Sequence, residues 1–181
     1  MASTNLLEAT VQAVDVPTTN KPPTPKMQYT RLGRSGLKIS RLVLGCMGIG
    51  SPSTSTGSAW VTPASEALPI LKYAYDQGIN TWDTADFYSL GTSEEIIGQA
   101  IREYKIPREK LVLLTKCYFG VSEELLVDGK VDLLSAIVND GMMVNRVGLS
   151  RKHILDAVDA SVARYVSKLL LREDENELLT M

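Results

Sequence analysis

From residue 28 onward, short apolar runs alternate with stretches of helical periodicity. In YTRLGRSGLKIS, two short runs flank Gly33-Arg34-Ser35-Gly36, and glycine at both ends of the turn predicts a small hairpin. Arg41 to Gly45 reads as a short apolar strand that ends in glycine. A Gly/Ser/Thr/Pro-rich loop then runs from Gly48 to Thr62. Thr62-Pro63 predicts a helix start, with Thr62 as N-cap and Pro63 at the first helical position. Leu68, Leu71 and Ala74-Tyr75 recur at helical spacing, and Gly78 stops the repeat. Ile79 to Trp82 is the second predicted strand. Thr92-Ser-Glu-Glu95 has capping-box spacing, with Ile96, Ile97, Ala100 and Ile101 following on one face. Pro107 ends that helix. Leu111 to Thr115 is a third, apolar strand, and Ser150 caps a last helix through Ile154, Leu155, Val158 and Val162.

Strand starts near residues 42, 79 and 111 suit βα units and a parallel sheet. Near-continuous apolar strands fit a sheet covered on both faces. Two architectures follow, an open doubly wound sheet or a closed barrel. The dinucleotide-binding form of the first needs G-x-G-x-x-G where the first strand turns into its helix. Gly45-Cys-Met-Gly48-Ile-Gly50 has different spacing and lies well before the predicted helix, too far to hold a pyrophosphate against its amino terminus. The barrel meets a different objection: 181 residues fall short of the roughly 250 of an ordinary complete (β/α)₈ barrel.

Composition narrows the function classes. Lys and Arg number 19 against 21 Asp and Glu, a formal charge of −2, which argues against nucleic acid or an anionic membrane as partner. Hydrophobic residues make up 44%, enough for a packed core. No apolar run approaches the roughly 20 residues of a membrane helix. The first residues carry no positive charge before Lys21, unlike a secretory or transit leader, so the expected setting is cytoplasmic. Residues 1–27 read as a flexible arm, with Pro and Thr concentrated from Pro17 to Lys26. Cys46 and Cys117 have no metal-ligand spacing, so reduced thiols and no metal site are expected.

The candidate chemistry lies in Gly78-Ile-Asn-Thr-Trp-Asp83-Thr-Ala-Asp86-Phe-Tyr88. Asp83 falls at the carboxyl end of the second strand, Tyr88 in the loop after it, and Lys116 at the same end of the third strand. In a parallel barrel that rim is where active sites assemble. Free tyrosine titrates near 10, high for a proton donor at neutral pH; a neighbouring ammonium favours phenolate, and a carboxylate can hold the ammonium in place. Taken singly, each residue has a plainer reading as turn residue, amphipathic packing or solvated strand end. Asp83 with Asp86 could also serve as the carboxylate pair of a glycoside hydrolase, since a spacing of three does not fix their separation.

At these residues the sequence resembles the aldo-keto reductase family, with the flavour of fungal members that reduce carbonyls in natural-product pathways. YTRLGRSGLKISRLVLGCMGIG is similar to its hairpin and first strand, GINTWDTADFYSLGTSEEIIGQAI to its G-x-N-x-x-D-T-A-x-x-Y signature, LVLLTK to its lysine strand, and VNRVGLSRKHILDAVDASVARY to the segment leading into its fourth strand. The resemblance implies an α/β fold, a partial (β/α)₈ barrel made of the hairpin and the first three to four βα units over residues 28–165. It implies NADP(H) as cofactor, a small-molecule carbonyl substrate, and hydride transfer with Tyr88 as proton donor. Lys116 and Asp83 would tune Tyr88. Asp83, Cys46 and Met47 would line the nicotinamide and ribose site.

The departures from the family matter as much. The fourth-strand histidine the family uses has no counterpart, and His153 reads as a surface helix residue. Arg151-Lys152-His153 reads as a solvated basic face. The family pattern stops after residue 165, so residues 166–181 are expected to be a divergent, frayed tail, with Val166 to Leu171 as an improvised strand or helix extension. The expectation is therefore a truncated reductase, completed by another chain, or a catalytically inactive remnant that binds a partner. Tyr118 to Gly148 is long for a βα loop and is expected either to cover a substrate mouth or to be a surface insertion with a short helix.

Overall fold

The computed structural model describes residues 27–52 and 60–166. The expected arm and tail, apart from Met27 and Val166, and residues 53–59 of the Gly/Ser/Thr/Pro-rich loop therefore lie outside the described residues. Strands β1 (Tyr29–Arg31) and β2 (Lys38–Ser40) form the predicted antiparallel hairpin, with Tyr29 opposite Ser40. Gly33 and Gly36 take φ of +54° and +79° in its turn, the left-handed region glycine enters without a Cβ clash. The hairpin closes the amino-terminal end of the sheet. The Tyr29 hydroxyl donates to the Gly78 carbonyl at 2.9 Å, and the Ser40 amide donates to Asn80 Oδ1 at 2.9 Å.

Strands β3 (Leu44–Gly45), β4 (Thr81–Asp83) and β5 (Val112–Leu114) run parallel in the order β3-β4-β5. Each ladder is shorter than its apolar run. Helices α1 (Ala64–Asp76) and α2 (Thr92–Glu103) pack with the sheet around a core of Leu71, Trp82, Ile97 and Ala100, all fully buried. Side chains alternate along β4, so Trp82 enters this core while its neighbours Thr81 and Asp83 point to the other face. Burying a side chain the size of Leu71 or Ile97 contributes about 1.5–3 kcal/mol.

The predicted starts of the first two helices are corrected. Helix α1 begins at Ala64, with extended Pro63 as N-cap and no side-chain cap. Thr62 is taken by a strand-like bridge instead: its amide donates to Gly48 O at 2.7 Å and its carbonyl accepts from Gly50 at 3.0 Å. Helix α2 has Gly91 as N-cap, at φ +96°, and Thr92 already has helical angles (φ −59°, ψ −30°), whereas a capping-box residue needs extended backbone.

Helix α4 (Arg151–Val166) is capped as expected, Ser150 Oγ accepting from the His153 amide at 3.1 Å. Its apolar repeat does not make its buried face. Leu155, Val158 and Val162 are 50%, 47% and 54% exposed, while His153 and Ser161 are buried. His153 is thus corrected from surface residue to a buried one, its Nδ1 2.6 Å from the Gly148 carbonyl. The contact with α2 is made over Gly98, where a Cβ would stand 2.8 Å from the Tyr165 carbonyl oxygen.

Between β5 and α4 the chain builds a small unit of its own. A hairpin of β6 (Leu126–Val127) and β7 (Lys130–Val131) turns through Asp128 and Gly129, both at positive φ. Helix α3 (Leu133–Ile137) follows, capped by Asp132, whose carboxylate accepts from the Leu134 and Ser135 amides. Leu125, Ala136, Met143 and Val147 form a second core, packed against Phe87 and Leu90 on either side of Tyr88. The short predicted helix is present, and it leans on the tyrosine loop.

Candidate active site

The carboxyl ends of β4 and β5 bring Asp83, Tyr88 and Lys116 together. Asp83 is the last residue of β4, and Lys116 follows β5 by two positions. Lys116 Nζ donates to Asp83 Oδ2 at 2.8 Å, to the Thr84 carbonyl at 2.8 Å and to the Tyr88 hydroxyl at 3.2 Å. An ammonium has three hydrogens, and these acceptors use all of them. Nζ also lies 5.0 Å from the Tyr88 ring centroid. The site is open, with half of the Lys116 side chain and 37% of the Asp83 side chain exposed. Partial burial pulls the Lys116 pKa down, but the bonds to Asp83 and Tyr88 and their charges outweigh it and hold it above the ordinary lysine value.

The tyrosine loop is locally strained. Ser89 and Leu90 have φ near +50° and lead into left-handed Gly91. Left-handed non-glycine residues cost roughly 1–2 kcal/mol each, so the contacts of Leu90 with the second core have a conformational cost to offset. The turn returns the chain immediately into α2, leaving Tyr88 at the strand rim. Backbone bonds fasten this rim: Asp86 donates to the Lys116 carbonyl at 3.2 Å, and Thr84 to the Leu114 carbonyl at 2.8 Å.

Cys46 and Met47 differ from each other. Cys46 is fully buried in the main core, and burial, then the Asp83 charge, pushes its thiol up to about 12, against a smaller opposite pull from Lys116. Its backbone is at the rim, the amide donating to Asp83 O at 2.8 Å and the carbonyl accepting from Ser93 Oγ at 3.0 Å. Met47, 55% exposed, follows at the carboxyl end of β3. Asp86, whose carboxyl was the alternative partner for Asp83, is buried, and its pKa rises to about 6 through burial and then the Glu94 charge.

Behind Lys116 stands a residue that the strand and motif pattern does not single out, Glu94. Glu94 is fully buried in the first turn of α2. It accepts from Thr115 Oγ1 at 2.6 Å, Arg164 Nε at 2.6 Å and the Tyr165 hydroxyl at 3.0 Å. Burial and the Glu94 charge raise the pKa of Tyr165. The residue beside Lys116 is thereby tied to α2 and α4. A signal was available, since Glu94 stands three residues before buried Ile97, on the inner face, where an acid needs a partner.

Comparison with known proteins gives consistent results. The family model described as aldo/keto reductase family matches residues 41–167. The versiconal hemiacetal acetate reductase of Aspergillus parasiticus is 51% identical over 83% of this chain and 43% of its own length. An aldo-keto reductase of Metarhizium robertsii is 46% identical over 77% of this chain and 38% of its own. Among solved structures, the holo form of an aldo-keto reductase from Bacillus halodurans matches with a TM-score of 0.55 and 27% identity, over 77% of this chain and 36% of that one. The chain spans about two fifths of the length of the curated relatives it matches.

Proposed function

The chain belongs to the aldo/keto reductase family, and from that premise we propose that it takes part in reducing a small-molecule carbonyl with NADP(H), Tyr88 giving the proton. One observation carries the reading: Lys116 Nζ reaches Asp83 Oδ2 and the Tyr88 hydroxyl at once. Because the phenol oxygen accepts from Lys116, its own hydrogen remains to be donated. As the proton leaves for the carbonyl oxygen, charge develops on the Tyr88 oxygen beside a cation already in place, which needs no reorganisation at that moment. Asp83 and the Thr84 carbonyl keep Lys116 there.

The donor set at the rim suits the nicotinamide end of the cofactor. The half-exposed Asp83 carboxylate can accept from a ribose hydroxyl, and exposed Met47 offers an apolar surface to a ring. Cys46 would contribute through its backbone, since its thiol is buried. When bound, reduced nicotinamide supplies the hydride that goes to the carbonyl carbon. The relative named for versiconal hemiacetal acetate supports a natural-product substrate for this chain. The test is steady-state oxidation of NADPH with benzaldehyde by the chain and its Lys116→Met variant. Aldehyde-dependent oxidation that falls roughly 10²-fold or more in the variant supports the reading. Oxidation no faster with aldehyde than without it, at any NADPH concentration, overturns it.

A further inference from the structure

We propose that the outward face of α4 is an interface between two copies of this chain, paired antiparallel about a two-fold axis. The stripe on that face has the spacing of a helix-pairing seam. Arg151, Leu155, Val158 and Val162 follow one another at intervals of four, three and four residues, the alternation by which one helix interlocks with another. At about 100° per residue the three apolar members fall within about 60° of one another. Each is about half exposed, while His153 and Ser161, on a different side of α4, are buried within the chain itself.

Charge commits the face to a second copy. Helix α4 carries Arg151 and Lys152 in its first turn and Asp159 further along, all three exposed. Two copies aligned in the same direction would set like charges against each other. In the antiparallel arrangement, the register that brings Leu155 level with Val158 of the second copy also brings Val162 level with the alkyl stem of its Arg151. The same register sets Lys152 across from Asp159 of the second copy, and the two-fold axis repeats each contact. Asp159 has no ion-pair partner among the described residues. Lys152 lies 2.5 Å from Asp156 of its own helix, an exposed pair that leaves the ammonium free to donate again. Leu149 and Val166, both exposed at the two ends of α4, fall close together along the paired axes, so the seam is apolar at its ends as well. A partner of one sign of charge would satisfy only one end of this face, whereas a second copy satisfies both.

Size sets the strength. One pair of helix faces is small beside the roughly 1,200–2,000 Å² of a standard stable interface, so the pairing is weak and concentration-dependent. The dilute chain is therefore a monomer, and its unfolding is that of single copies.

The test is sedimentation equilibrium of the full chain, from micromolar to hundreds of micromolar, beside two charge-reversed variants. One is Asp159→Lys and the other is Arg151→Glu with Lys152→Glu. All three side chains are exposed, and acids suit the amino-terminal turn of a helix, so the fold has little reason to fail; circular dichroism checks it. The parent should fit a monomer–dimer equilibrium. Each variant alone should associate about 10-fold or more weakly, because like charges then face each other across the seam. An equimolar mixture of the two variants should recover the parent's affinity, since both ends again meet their opposites. A parent that stays monomeric throughout overturns the proposal. So does dimerisation that neither reversal weakens, or a mixture that associates no better than the variants alone.

Discussion

Helices α1 and α2 are held to the sheet in one way, and α4 is held to α2 in another. The first pair buries the apolar stripe by which each is recognised in sequence, Leu68, Leu71 and Ala74 on α1 and Ile96, Ile97 and Ala100 on α2. Helix α4 leaves Leu155, Val158 and Val162 outward and meets α2 through Arg164, Tyr165 and the bare backbone of Gly98. An apolar stripe docks a helix only where the neighbouring surface is apolar too. Against α2 the neighbour offers a buried carboxylate and a glycine, and α4 turns the matching groups inward. The second attachment also reaches the site, since Glu94 holds Thr115 beside Lys116.

The two attachments differ most at Glu94. Glu94→Ala leaves Arg164, only 17% exposed, without its carboxylate and should cost about 3–5 kcal/mol in urea unfolding. Shape-conserving swaps should separate the two attachments. Leu71→Met should cost under about 1.5 kcal/mol, since a flexible thioether refills the space. Glu94→Gln keeps the shape but removes the charge and one acceptor, and should still cost roughly 1–3 kcal/mol. If Glu94→Gln costs well under about 1 kcal/mol, α4 is not held by charge.

Next in size is the pH response of Asp86, which burial and the Glu94 charge raise to about 6. The unfolded chain holds fewer protons at this carboxyl than the folded one between about pH 4 and 6, so its contribution to stability falls as pH rises through that window. Asp86→Asn should therefore stabilise the chain at pH 7 by up to about 3 kcal/mol, and the gain should vanish by about pH 4. Thermal melts at both pH values check this, and an equal gain at both would show that burial and the Glu94 charge do not raise the Asp86 pKa. Gly98→Ala comes after it. Alanine gains about 1 kcal/mol in helix propensity, yet its methyl meets the α4 backbone, for a net cost of about 1–3 kcal/mol. Smallest of all, Val158→Ser on the outer face of α4 should stay within about 0.5 kcal/mol in the same unfolding assay.

How much was legible in the sequence divides along the same line. Apolar period located α1, α2 and β4 because those elements bury what their pattern marks, and the hairpin was located by its turn glycines, although its strands are mostly exposed. Strand ends located Asp83 and Lys116, since a polar residue closing an apolar run must lie at the rim. The cap of α2 was misplaced because left-handed Ser89 and Leu90 precede Gly91, and no local pattern signals two such residues in a row. The inward face of α4 was illegible because it depends on a glycine and an acid more than 60 residues earlier. Cys46 was placed correctly along the chain, but which way its thiol points depends on strand alternation that a two-residue ladder hardly displays.

The most direct measurement of Tyr88 as the proposed proton donor, at the rim Lys116 organises, is the rate of carbonyl reduction by Tyr88→Phe beside the parent. The substitution keeps the ring and removes only the hydroxyl that Lys116 contacts. General acid catalysis contributes roughly 10²- to 10⁴-fold, so reduction of an aromatic aldehyde should fall by about that factor with cofactor affinity little changed. A variant that reduces the aldehyde at the parent's rate would contradict the account and leave Tyr88 a packing residue.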